Sequence, residues 1–117
     1  MSTKEAVLHQ ELEKLNELFR DVDPIKSKLV EGLIRDAAFL FAENWSLRQL
    51  MEKTGMVIVH PNRMELQKPI EAAKQYRQNV AAYGMAIKTL NAILSKDMSE
   101  GDDEFAKFIK QQTEGGE

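Results

Sequence analysis

The chain contains no cysteine, so disulfides and thiolate metal sites are excluded, and a reducing compartment is the natural expectation. It has only three prolines and six glycines in 117 residues, and these breakers cluster at a few points, leaving long stretches with nothing to interrupt a helix. No apolar run approaches the roughly 20 residues that a bilayer span needs. The N-terminal "MSTKEAVLHQELEK" lacks the basic-then-apolar order of a secretory signal, and the expected localisation is cytoplasmic. There is no phosphate-cradling G-x-x-x-x-G-K-[ST] and no G-x-G-x-x-G.

The two histidines are poor candidates for chemistry. His9 and Glu13 lie four apart on a helical pattern, but no further histidine lies nearby to complete a metal site. His60 has only Pro61, Asn62 and Arg63 as companions, and no nucleophile sits at a recognisable elbow. Glu31, Asp36 and Glu43 lack the Glu-x-x-His element of di-iron bundles. The expectation is a non-enzyme with no metal, cofactor or small-molecule substrate.

Among the features present, charge is unevenly distributed. The net charge of −3 divides into −3 over residues 1–23, +4 over 24–97 and −4 over 98–117. The middle is basic and both ends are acidic, and an acidic end of this kind reads as a solvated segment or a docking peptide.

The apolar spacing predicts helices. Ser2 and Glu5 fit a capping box, and Leu8, Leu12, Leu15 and Phe19 recur at helical spacing, giving a first helix over roughly residues 3–20. Asp23 followed by Pro24 marks a restart, because aspartate caps a helix and proline at its first position has no donor to leave unpaired. From Pro24 to Lys53 the only breaker is Gly32, so this second helix should be about 45 Å long. A round globule of this chain length has a radius of gyration of only about 13 Å. The apolar positions Val30, Leu33, Ala37, Leu40, Leu47 and Met51 form a stripe interrupted by Asn44, which reads as a register device paired with its counterpart or as a residue facing water. Phe39, Phe41 and Trp45 lie off the stripe.

A third helix from Pro69 or Ile70 to about Asp97 carries Ala73, Tyr76, Val80, Tyr83, Ile87, Leu90 and Leu94 at strictly alternating three- and four-residue steps. The expected fold is all-α: a long antiparallel coiled-coil hairpin with a short N-terminal helix and a short β-like connection. Such a hairpin leaves Phe39, Phe41, Trp45 and Ile93 incompletely covered, so a homo-oligomer is expected. Residues 1–97 form the helical domain. Residues 98–117 form an acidic tail that begins with a breaker and continues as a short amphipathic helix bearing Phe105, Phe108 and Ile109, unstructured alone and helical when docked.

The connection itself, "EKTG" then "MVIVHPN" then "ELQKP", is followed by "AAKQYRQNVAAYGMAIKTLNAIL" and preceded by "LFRDVDPIKSKLVEGLIRDAAFL". With the closing "DDEFAKFIK", this ordered combination over roughly residues 16–112 resembles the small terminase subunits of tailed bacteriophages and prophages. The resemblance implies a DNA-packaging factor in the infected host cytoplasm that assembles into a ring of more than two copies. It implies binding to viral double-stranded DNA and recruitment of a large ATPase–nuclease subunit. It also implies that Phe105, Phe108 and Ile109 dock that large subunit. One departure is the absence of room before Asp23 for the N-terminal helix-turn-helix domain that many small subunits carry.

Met56–Val59 reads as a ribbon strand pairing with Met64–Leu66, as an edge for a neighbour, or as a plug for the open end of the hairpin. Met56 and Ile58 join Phe39, Phe41 and Trp45 as candidate oligomer contacts. Arg48, Lys53, Arg63, Lys68, Lys74 and Arg77 flank or lie within the same loop and form the candidate DNA surface. The competing readings are a coiled-coil scaffold with no nucleic-acid role and a small transcription regulator.

Overall fold

A computed structural model describes residues 2–114. The chain is mostly helical: α1 spans Lys4–Leu18, α2 Pro24–Thr54 and α3 Glu71–Glu114, with strands β1 (Val57–Val59) and β2 (Gln67–Pro69) between α2 and α3. The molecule is a rod of 88 × 30 × 21 Å with a radius of gyration of 22.0 Å, far above the value for a round chain of this size.

The helix ends follow from local chemistry. Thr3, not Ser2, caps α1: its Oγ1 accepts from the Ala6 N–H at 3.1 Å, one residue later than a Ser2 box would. Asp23 caps α2 by accepting from the Ile25 N–H at 2.8 Å, with Pro24 next. Gly55 ends α2 at φ 77°, a left-handed conformation that a side chain would strain.

Side-chain pairs fix how the helices lie. Lys4 pairs with Glu43 near the start of α1, while Phe19 and Val22 join Val30 and Ile34 in the core, so α1 runs back along the first half of α2. Phe41 meets Tyr83 with ring centroids 5.7 Å apart, and Lys26 meets Asp97 at 3.5 Å and also Glu100, so α2 and α3 run antiparallel. The core of Leu15, Phe19, Val22, Val30, Ile34, Ala37, Ala86 and Leu90 lies where all three helices meet.

A buried polar cluster ties α1 to α3. Glu11 is only 4% exposed; its Oε1 accepts from the Tyr83 hydroxyl at 2.8 Å and its Oε2 pairs with Lys14 at 3.0 Å. Lys14 in turn stands 5.7 Å above the Phe41 ring. Burial and the Glu11 carboxylate raise the Tyr83 hydroxyl pKa well above the ordinary tyrosine value.

Four expectations shift. The inward residues of α1 are Val7, Glu11, Leu15 and Phe19, with Leu8 and Leu12 half-buried at the edge. On α3, Val80 is 45% exposed and its neighbour Asn79 is buried instead. In the antiparallel register Val80 lies level with Asn44, just past the start of α1, where no third helix remains to cover it. Asn44 is buried within the chain rather than facing water, and its Oδ1 has no partner among the described residues.

Finally, α3 does not stop near Asp97. It runs through Gly101 to Glu114 as one helix of 44 residues, or about 66 Å. A single helical glycine costs only about 1 kcal/mol relative to alanine, and Lys26 anchors the turn immediately before it through Asp97 and Glu100. The separate tail helix is therefore a continuation of α3; residues 115–117 of the expected tail lie outside the described residues.

Candidate nucleic-acid interface

The connection between α2 and α3 is a two-stranded antiparallel ribbon with Val57 opposite Pro69, Ile58 opposite Lys68 and Val59 opposite Gln67. The partner strand is thus Gln67–Pro69 rather than Met64–Leu66, and α3 begins after it. The reason lies at the tip. The His60 N–H donates to the Leu66 carbonyl at 3.0 Å and the Leu66 N–H to the Arg63 carbonyl at 2.9 Å, so residues 63–66 are used as a turn. His60 Nδ1 also accepts from the N–H groups of Asn62 and Arg63, both at 3.1 Å. This structural role of His60 exists only in the folded turn and has no signature among catalytic-histidine patterns.

No other described residue covers the ribbon. All residues from 52 to 68 are exposed, including Met56, Val57, Ile58, Val59, Met64 and Leu66, so the ribbon stands out from the helices rather than plugging the gap between them. An isolated two-stranded ribbon is marginal in water. Here it is held by its attachment to two helices and by the Ile70 N–H, which donates to the Met56 carbonyl at 3.1 Å.

The six candidate basic residues all fall at this end of the rod and all are exposed. Arg48 and Lys53 lie on the last turns of α2, Arg63 at the ribbon tip, Lys68 on β2, and Lys74 and Arg77 on the first two turns of α3. Arg63 Nε pairs with Glu65 at 3.0 Å and Lys74 with Glu71 at 3.5 Å; Arg48, Lys53, Lys68 and Arg77 form no ion pair among the described residues. Lys74, Arg77 and Gln78 line an open groove beside Pro69 and Ala81. Over residues 48–77 six cations face three acids, a local excess of +3. Such an excess favours a polyanion, and each cation that contacts a phosphate adds one released counterion.

The candidate oligomer residues do not form one patch. Phe39 is 56% exposed and borders grooves with Leu8 and Leu12 of α1, whereas Met56 and Ile58 are exposed at the ribbon. The interval from Phe39 to the end of α2 is roughly 24 Å of helix. Phe41 is half-buried against Tyr83 and Lys14, and Trp45 is also half-buried, so both are used partly inside the chain. Phe105, Phe108 and Ile109 lie at the opposite end of the rod, exposed at 64%, 55% and 48%.

Elsewhere, His9 stands 3.8 Å from Glu5 on the exposed side of α1, and Glu43 is taken up by Lys4. Among the described residues no group of three or more acidic or histidine side chains is placed to hold a metal ion, and no helix is long and apolar enough to cross a membrane. Comparison with protein-family models, with curated proteins and with solved structures finds no match.

Proposed function

We propose that this chain is a phage terminase small subunit: a non-catalytic, oligomeric DNA-packaging factor that holds viral duplex DNA and recruits the large ATPase–nuclease subunit. The observation that carries the reading is the gathering of six exposed cations around an uncovered ribbon at one end of a rod whose total charge is negative. A ring of such rods repeats those cations once per subunit, so modest local charge becomes a continuous basic rim. The large exposed side chains Phe39, Met56 and Ile58 support assembly through the flanks and the ribbon.

The test is duplex DNA binding measured against salt. The log of affinity should fall linearly with the log of salt concentration, and Arg63→Glu with Lys68→Glu should weaken binding uniformly across sequences and flatten the slope by about one per lost phosphate contact. The thermal midpoint should be unchanged because both side chains are exposed. Binding indifferent to salt and to both substitutions would favour a scaffold without a nucleic-acid role.

A further inference from the structure

The groove that α1 fills in one half of the rod continues, unfilled, into the other. Glu11 meets Tyr83 and Lys14 stands over Phe41, so these two aromatic residues mark the walls on which α1 lies. A seven-residue step returns to nearly the same side of a helix. It leads from Phe41 to Arg48 and from Tyr83 to Tyr76, with Trp45 and Val80 between them at helical spacing. The register in which Phe41 meets Tyr83 sets Arg48 level with Tyr76 and Trp45 level with Val80. α1 does not reach this stretch, because Lys4 at its start pairs with Glu43. Trp45 and Tyr76 are half-buried there, and Val80 is 45% exposed. From Asn44 to Thr54 the open stretch is 11 residues, or about 16 Å.

Its shape suits a helix and its charge suits acids. Arg48 lies in the groove and Arg77 at its edge beside Tyr76; both are exposed and neither forms an ion pair among the described residues. Of the acids in this half, Glu71 pairs with Lys74, which leaves Glu52, four residues past Arg48.

The chain carries one uncovered helix that matches. Lys26, on the first turn of α2, pairs with Asp97 and Glu100, so the last 14 residues of α3 project beyond α2 for about 21 Å. Gly101, Phe105, Phe108 and Gln112 follow at steps of four, three and four and share one side, with Ile109 next to them. Phe105 and Phe108 are 64% and 55% exposed. Asp102, seven residues before Ile109, borders that side on one flank, and Glu104, four before Phe108, borders it on the other. Asp103, Lys107, Lys110 and Glu114 lie on the far side, where two acids and two bases cancel. The apolar side therefore meets its partner with acids alone at its borders. No other uncovered apolar surface fits the groove: the unpaired charge of the ribbon is Lys68, and the edge at Phe39 is itself a groove between α1 and α2. The seat cannot be filled from within the chain, because groove and α3 end lie at opposite ends of an 88 Å rod.

We propose that the α3 end of one copy lies in the ribbon-half groove of a second, with Phe105 and Phe108 on Trp45 and Val80 and with Asp102 and Glu104 toward Arg48 and Arg77. Each copy gives one end and receives one, so the contact is head-to-tail and builds particles larger than a dimer. It needs neither DNA nor a large packaging subunit.

Trp45 is the only tryptophan, so its emission reports on this groove directly. In the full chain that emission should shift to the blue as concentration rises through association. Arg48→Glu/Arg77→Glu and Asp102→Lys/Glu104→Lys should each weaken self-association in sedimentation by roughly ten-fold or more and suppress the shift. All four positions are exposed, and an unchanged thermal transition verifies that the variants fold. Mixed, the two variants should associate again, because the reversed groove of one matches the reversed end of the other. Variants that self-associate like the unaltered chain, or a mixture no better than its parts, overturn the proposal. So does Trp45 emission that ignores concentration and responds only to added duplex DNA, a result that would leave the DNA-packaging reading standing.

Discussion

The half of the rod that α1 covers and the half that carries the ribbon are built from the same two helices yet are finished differently. Beside α1, the α2–α3 pair closes over Ile34, Ala37 and Leu90, each 3% exposed or less. Past the start of α1, the buried positions are Asn44, Met51, Ala73 and Asn79, and Val80 and Leu50 are left 45% and 46% exposed. Two helices can bury one seam between them but not a second flank. In one half the short helix supplies that flank. In the other, none of the described residues supplies it, and the basic ribbon stands there too.

The contrast can be broken by mutation, most sharply in the core. Ile34→Ala should cost about 3–4 kcal/mol in urea unfolding, because its site is enclosed on three sides and cannot collapse, whereas Met51→Ala should cost about 2 kcal/mol. Equal costs would mean the two halves are equally well packed. Tyr83→Phe should cost about 1–3 kcal/mol, since it removes one donor from the buried Glu11 carboxylate.

The same bond gives a pH dependence with a definite sign. The folded state holds the Tyr83 proton more tightly than the unfolded chain, which ionises at the ordinary value of 10.0. Stability is therefore present below that pH and declines above it, and Tyr83→Phe should remove this part of the alkaline loss. Next in size, Asn44→Leu should raise stability by about 1 kcal/mol by removing an unpartnered buried oxygen from the ribbon half. A loss would show that the oxygen has a partner in the assembled protein. Smallest, His60→Ala should leave the melting transition in place but speed amide exchange at Asn62 and Arg63, whose N–H groups lose their acceptor.

Much of this was legible in the sequence wherever a local signal decides the outcome. Asp23–Pro24 and Gly55 bound α2 because capping and a left-handed backbone are decided within a few residues. The gathering of the six cations follows from the turn between two long helices, which returns the chain to the same end. What was hidden depends on distant partners. Glu11 reads as an exposed helix residue until Tyr83, 72 positions away, meets it. Asn79 is buried in place of Val80 only once α3 packs against α2. The continuity of α3 through Gly101 is accompanied by the pairing of Lys26 with Glu100, a contact from another helix that no breaker rule includes. Likewise, Phe41 looked like surplus surface because its place between Lys14 and Tyr83 exists only after three helices pack.

Whether further copies of the chain complete the ribbon half is decided by sedimentation of the 117-residue chain at micromolar concentration. The expected particle is larger than a dimer and falls to smaller species with Phe39→Glu and Ile58→Glu. A stable monomer with the frictional drag of a single 88 Å rod would contradict it.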